Sequence, residues 1–236
     1  MDVLVGRAIA IVGDGRMGNA LAAALRSRGV DVVGPLRRGE AIRGDIALLV
    51  VPDREIANAA RAVPPGTLVG HTAGAVTLDV FEGRPGFSMH PLMTAGNGRA
   101  EFADATAAIA GSNPDALGVA HAIAMRLGMT PIEIPDDKRA AYHAAGSIAA
   151  NFLVTLEVMA ARVGGTAGIE RRHLLPLARA ALENWGAIGA AALTGPIARG
   201  DWEIVEKHRA EVTRTAPEFL ASWEAMVAAT KTIADE

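Results

Sequence analysis

Gly13, Gly15 and Gly18 give the spacing G-x-G-x-x-G, which can hold a pyrophosphate when it joins a strand to a helix. Each glycine has its own task there. Gly13 allows the tight turn, Gly15 lets the backbone approach the phosphates, and Gly18 lets the helix pack close to the strand. Arg16 and Met17 lie inside the loop and count with the same cofactor site. The N–H groups and dipole of the following helix N-terminus would complete the anion site. About twenty residues on, a dinucleotide fold meets the adenine ribose, where an Asp or Glu selects the 2′-hydroxyl of NAD. This chain carries Arg37-Arg38 there, with no carboxylate until Glu40. Two guanidiniums can clamp a 2′-phosphate through forked hydrogen bonds, so the expected cofactor is NADP(H). A methyltransferase-type or flavin-type loop fits less well, since both favour an acidic residue at that position.

A second group of residues could act on a substrate. His143, Ser147 and Asn151 are spaced i, i+4, i+8, within roughly 80° of one face of an ideal α-helix. Their partners would be substrate and nicotinamide, or only neighbouring helices. His71 and His90 each end an apolar run of strand type, the side of a sheet where ligands bind; either could be a buried histidine satisfied by backbone. Thr194 and Arg199 lie in Thr194-Gly-Pro-Ile-Ala-Arg-Gly-Asp201. Arg199 could pair with a substrate carboxylate, or the segment could be a plain interhelical loop. The six histidines show no H-x-x-x-H or H-E-x-x-H spacing, so no metal is expected. His121 and His173 read as surface or structural.

The elements that must position these groups follow from periodicity. Short β-rich runs begin at Ala8, Val30, Asp45, Thr67, Gly86, Ala105 and Thr130, and helical stretches alternate with several of them. That is the pattern of an α/β doubly wound sheet. The run from Asp45 to Val51 is stopped by Pro52, which places Val51 and Pro52 beside the cofactor, and Asp53 is expected to N-cap the next helix. After Pro135 no strand candidate remains. Lys138 to Arg162 reads as one long helix, apolar on most sides and therefore expected to be buried. Helices from about Leu174 to Ala192, from an Asp201 cap to about Val212, and from a Thr215–Glu218 capping box to about Ile233 follow. The expected domains are 1–135, binding NADP, and 136–236, helical, for substrate and dimerisation.

Composition narrows the function classes. Of the 236 residues, 50% are hydrophobic and 21% charged, which supports a packed core. A net charge of −3 gives no general attraction to nucleic acid or acidic membranes. There is no cysteine, so disulfides and thiolate chemistry are ruled out. No secretory segment is expected before the first strand. The uncharged stretch Ala140–Leu156 is shorter than a bilayer span, so a soluble cytoplasmic protein without a membrane partner is expected.

Taken together, these residues resemble a family of predicted oxidoreductases with an N-terminal Rossmann-like domain and a helical C-terminal domain of unknown function, number 2520. The resemblance covers nearly the whole chain. It rests on the glycine loop, His71-Thr-Ala-Gly74, His90-Pro-Leu92, Tyr142-His-Ala-Ala145 with Asn151, and Ala192-Leu-Thr-Gly-Pro-Ile-Ala-Arg-Gly-Asp201 with His208. More distantly it extends to ketopantoate reductase, pyrroline-5-carboxylate reductase, prephenate dehydrogenase and β-hydroxyacid dehydrogenases. It implies hydride transfer between NADP(H) and a small oxo-acid or cyclic imino-acid, with His71 counted among the cofactor contacts. β-Hydroxyacid dehydrogenases and ketopantoate reductases place a Lys one helical turn before an Asn. Here Asn151 matches the Asn and Ser147 stands where the Lys would be, so the proton donor does not carry over. His143, with His90 behind it, is the expected donor. A homodimer is expected, and the alternative is a sensor or scaffold that binds NADP(H) without turnover.

Overall fold

A computed structural model describes residues 3–94 and 101–235 of the chain, which divides into two compact units, Met1–Ile148 and Ala149–Glu236. The first unit is built on a seven-stranded sheet. In chain order its elements are β1 (Ile9–Val12), α1 (Arg16–Ser27), β2 (Val32–Leu36), β3 (Ile46–Leu49), α2 (Ile56–Arg61), β4 (Leu68–His71), β5 (Gly86–Leu92), β6 (Thr106–Gly111), α3 (Pro114–Arg126), β7 (Thr130–Glu133) and α4 (Arg139–Ser147). The sheet order is β2-β1-β3-β4-β5-β6-β7. All neighbours run parallel except β5 and β6. This is the doubly wound Rossmann-like arrangement, and all seven expected strands are present.

Sequence explains most of these elements directly. β1, β3 and β4 are buried along their whole length, so they read as unbroken apolar runs rather than alternating ones. α1 buries Gly18, Leu21, Ala22 and Leu25, the 3–4 spacing of one helical face. Each leucine buried there stabilises the unit by about 2 kcal/mol. One core layer contains Ile9, Ile11, Leu21, Leu25, Ile46, Leu48 and the buried side of α3. The other contains Leu49, Ile56, Val69 and Phe81. The chain leaves β1 to form β2 on one side and then crosses to β3 on the other. Such a reversal opens a crevice at the strand C-termini, between β1 and β3.

Several local expectations need correction. Asp53 does not cap a helix; it begins a 3₁₀ turn, Asp53–Glu55, whose cap position is Pro52. α3 opens on a side-chain cap, the Asn113 side chain accepting from Ala116 N–H, with Pro114 in its first turn. Asp201 gives no side-chain cap to the helix it precedes; its carboxylate pairs with Arg199 instead. No capping box forms at Thr215, which still belongs to the preceding helix and donates to the Glu211 carbonyl.

The second unit is helical. A π turn (Ile148–Phe152) follows α4, and then come α5 (Leu153–Gly165), α6 (Arg171–Ile188), α7 (Pro196–Arg199), α8 (Trp202–Thr215) and α9 (Leu220–Ala234). α6 starts three residues before the expected Leu174, so Pro176 lies inside it, and a separate 3₁₀ turn, Gly189–Ala192, follows that helix. His173 is exposed yet closes the α6 capping box, its Nδ1 accepting from Glu170 N–H. The apolar helix expected to be buried is not. The continuous helix Asp136–Gly165 is long and apolar enough to cross a membrane by length and composition, and only 6% of its most apolar window is buried. Apolarity on all sides predicts burial only when enough neighbouring chain exists to cover every side. Among the described residues of this unit, the buried hydrophobics are Met159, Val205, Val212 and Ala216.

Candidate functional site

The glycine loop joins β1 to α1, and Gly15 is the N-cap of that helix. Gly13 has φ +126°, and a Cβ there would lie 2.2 Å from the Val50 carbonyl oxygen. A Cβ at Gly18 would lie 1.9 Å from the Gly13 carbonyl oxygen. Both positions therefore need glycine for close backbone approach. At Gly15 an added Cβ would meet no protein atom, leaving room for a ligand. Asn19 braces the loop, donating from its amide to the carbonyls of Asp14 (2.6 Å) and Gly15 (3.0 Å); the glycine spacing alone does not reveal this role.

A groove of about 750 Å³ opens at this point, lined by Gly13, Asp14, Gly15, Arg37, Arg38, Glu40, Val51, Pro52 and Glu55 among others. Arg37 is the residue immediately after β2. Its guanidinium pairs with Asp14 at 3.0 Å, and Arg38 pairs with Glu55 at 2.7 Å. Both arginines are largely exposed, so these pairs are worth at most about 1 kcal/mol each and can yield to a doubly charged phosphate. Glu40, the first carboxylate after β2, accepts from Arg37 N–H at 2.6 Å and so closes the turn. Arg16, Met17 and Gly18 sit in the first turn of α1 without lining the groove, and His71 also lies outside its lining.

His71 is fully buried at the end of β4. Its Nδ1 accepts from Ala73 N–H at 3.2 Å, and the ring lies 5.5 Å from that of Phe81. Burial, assisted by the charge of Arg139, lowers its pKa to about 4, against a smaller opposing effect of the Thr77 carbonyl. His90 also falls to about 4, by burial first and then by His143 and Arg139. Both imidazoles are therefore neutral at pH 7.

The cation nearby is Arg139, the first residue of α4 and only 1% exposed. It donates to Ser88 Oγ and, from Nε, to Asp136 Oδ1 at 2.8 Å. Nothing in the sequence marks it out from the other arginines. His143 lies one turn further along α4 and is exposed, its ring 6.2 Å from that of His90. Tyr142 hydrogen-bonds His90 Nδ1 at 2.7 Å. The first unit thus gathers His71, His90, Tyr142, His143 and Arg139 around the loop after β4.

Ser147 ends α4, and Asn151 falls in the π turn. The ideal α spacing therefore holds from His143 to Ser147 and is altered before Asn151. Thr194 lies in the loop before α7, and Arg199 ends α7 with its guanidinium on Asp201 at 3.0 Å. Among the described residues no group of histidines and carboxylates could hold a metal ion.

The sheet order, glycine loop and crevice define the class: a Rossmann-like fold of the dinucleotide-binding type. Residues 105–230, more than half the chain, match the family described as a domain of unknown function, DUF2520, and the chain belongs to that family. Solved structures agree in fold. A Bacteroides fragilis protein described as a candidate NADP oxidoreductase superposes with a TM-score of 0.83 at 19% identity, covering 96% of this chain and 98% of its own. Plasmodium falciparum pyrroline carboxylate reductase, solved with NADP bound, gives 0.62 at 13% identity, covering 97% and 98%. The reductive aminase of Aspergillus terreus, in complex with NADPH and ethyl-5-oxohexanoate, gives 0.69 at 14% identity, covering 94% and 92%. No curated protein sequence matches the chain closely enough to count as a relative.

Proposed function

We propose that this protein is an NADP(H)-dependent oxidoreductase that reduces a small oxo-acid, ketopantoate-like, or a cyclic imino-acid by hydride transfer. The observation that carries this reading is the groove that runs from the glycine loop to Arg37 and Arg38, with Arg37 placed directly after β2. Gly13, Gly15 and Gly18, with Arg16 and Met17, would hold the pyrophosphate at the α1 N-terminus. Arg37 and Arg38 would hold the 2′-phosphate, with Val51, Pro52 and His71 toward the nicotinamide end. The bound cofactor would supply hydride; the chain supplies orientation and the proton. His143 is the assigned proton donor, with His90, Ser147 and Asn151 as further contacts to the reacting group. Thr194 and Arg199 are assigned to the substrate carboxylate.

The Arg37→Ala, Arg38→Ala double variant should raise the Kd for NADPH about 10-fold, the scale of losing charge-assisted hydrogen bonds at an exposed site. NADH binding should change little. Fluorescence titration of both nucleotides decides it: equal affinity of the wild type for NADH and NADPH would remove the 2′-phosphate assignment.

The second unit supports a homodimer. Phe152, Val154, Leu177 and Trp185 are 58–69% exposed, and a largely apolar groove of about 890 Å³ lies between α5 and α6. A unit with so few buried side chains needs a partner surface, and a second copy offers the same apolar face. Polar residues along the long helix and arginines at the groove rim disfavour lipid as that partner. Sedimentation should give twice the chain mass, and Leu177→Glu with Trp185→Glu should shift the protein toward monomer. A monomeric wild type at tens of micromolar would contradict the assignment.

Ser147 specifically favours the rival reading, binding of NADP(H) without turnover, because distant relatives carry their proton-donating Lys at that position.

A further inference from the structure

Two histidine edges meet over one glycine. A Cβ built on Gly74 would lie 2.7 Å from His143 Cδ2, 3.1 Å from His90 Cε1 and 3.2 Å from His90 Nε2. A side chain at position 74 would push the His143 ring aside and crowd that of His90. His90 is held in place from its other edge, where its Nδ1 lies 2.7 Å from the Tyr142 hydroxyl and the two rings meet edge to face at 88°. Its strand is also fixed. Ser88 and His90 share one face of β5, and the buried Arg139 grips Ser88 Oγ.

The direction of the Tyr142–His90 bond follows from donor and acceptor strengths. A phenol is a stronger donor than an imidazole N–H, and an imidazole nitrogen is a stronger acceptor than a phenol oxygen. Tyr142 therefore donates and His90 Nδ1 accepts. Burial keeps both groups in the states this requires, with Tyr142 pushed up to about 12 and His90 held at about 4. A neutral imidazole has one ring proton, so it resides on Nε2, the edge that faces Gly74.

We propose that Tyr142 is a positioning residue that fixes His90 as the Nε2–H tautomer, and that the site is thereby built for a carbonyl rather than an iminium substrate. This rests on the reductase reading. A carbonyl oxygen has lone pairs that can accept from Nε2–H. In its reduction, hydride from NADPH, which would leave as NADP⁺, would add to the carbonyl carbon with its electron pair, the C=O π pair would move to oxygen, and that oxygen would take its proton from His143. The negative charge that grows on oxygen strengthens the hydrogen bond in the transition state. An iminium N–H has no lone pair and would meet His90 donor to donor. Of the two substrate classes, the oxo-acid is therefore the one selected.

Long-range ¹H–¹⁵N NMR of the ¹⁵N-labelled full-length protein should show His90 as the Nε2–H tautomer, with His90→Gln identifying its signals. Tyr142→Phe should turn it into a mixture of tautomers. Tyr142 is the single tyrosine, so a 3-fluorotyrosine-labelled protein should give one ¹⁹F resonance that shifts in His90→Gln. An Nδ1–H tautomer in the wild type overturns the assignment, even if Tyr142→Phe fails to fold, and so does an unchanged tautomer in Tyr142→Phe. With NADPH, kcat/KM for 2-oxo acids should exceed that for cyclic imines and should fall about 10-fold in Tyr142→Phe, with KM for NADPH unchanged. Turnover of cyclic imines alone overturns the carbonyl assignment. NADPH binding without turnover of either class refutes the reductase reading, while the tautomer spectra still decide the role of Tyr142.

Discussion

His143→Ala is expected to lower kcat by about 100-fold or more, the usual contribution of a positioned general acid, while leaving NADPH affinity intact. The two readouts separate because His143 lies outside the lining of the glycine-loop groove. Carbonyl reduction leaves charge on oxygen, and without a donor that charge raises the barrier. On the resemblance to β-hydroxyacid dehydrogenases and ketopantoate reductases, Ser147 stands where their Lys would be, and a hydroxyl is too weak an acid to take over. His143 lies one helical turn before it, exposed, with its ring edge against the Gly74 backbone. Its neighbour His90 is neutral at pH 7, so it can donate a hydrogen bond but has no spare proton to deliver. His143→Gln should recover little, since an amide orients a substrate without transferring a proton. Unchanged kcat in His143→Ala would move the acid role to another residue or to solvent.

The second large effect is on stability. Lowering the pH from 7 to 4.5 should cost about 2–3 kcal/mol through His71 alone. The unfolded chain binds a proton at His71 near pH 6.5, while burial and Arg139 hold the folded value at about 4. The unfolded state thus carries more protons between those values, so stability is complete above about pH 6.5 and is lost as the pH falls toward 4. Protonation would also break the Ala73 N–H to Nδ1 bond, which needs a free lone pair. Burial sets the sign; of the facing groups, Arg139 and His90 also oppose the imidazolium, while the Thr77 backbone and Asp136 favour it. Urea midpoints across this range should fall steeply in the wild type and less so in His71→Gln, which carries no titrating group. Equal slopes in the two proteins would contradict the assignment.

The sheet was legible because its central strands are unbroken apolar runs, such as Ile46–Leu49, bounded by turn residues. The glycine loop was legible because its spacing coincided with a strand and a helix. The long helix beginning near Lys138 could be located but its burial could not, since uniform apolarity does not say whether the chain provides a cover. The π turn at Ile148–Phe152 carried no signal either, so the face shared by His143, Ser147 and Asn151 rested on ideal geometry. His90 and His143 could be named from the sequence, but the contacts that hold the site together were out of reach for a different reason. His90 and Tyr142 are 52 residues apart, and only the packing of α4 on the sheet joins them. Arg139 illustrates the same gap: an arginine's burial is decided by the partners that await it, and for this one they are Ser88 and Asp136.

The most direct test of reductase activity is single-turnover oxidation of NADPH, followed by absorbance with saturating protein and a panel of 2-oxo acids, ketopantoate and cyclic imines. An NADP(H)-dependent reductase with His143 as its proton donor should oxidise NADPH stoichiometrically with at least one member of the panel, and His143→Ala should slow that oxidation about 100-fold or more. NADPH that binds tightly and stays reduced across the whole panel would contradict both the activity and the role of His143, and would make the chain a nucleotide sensor or scaffold instead.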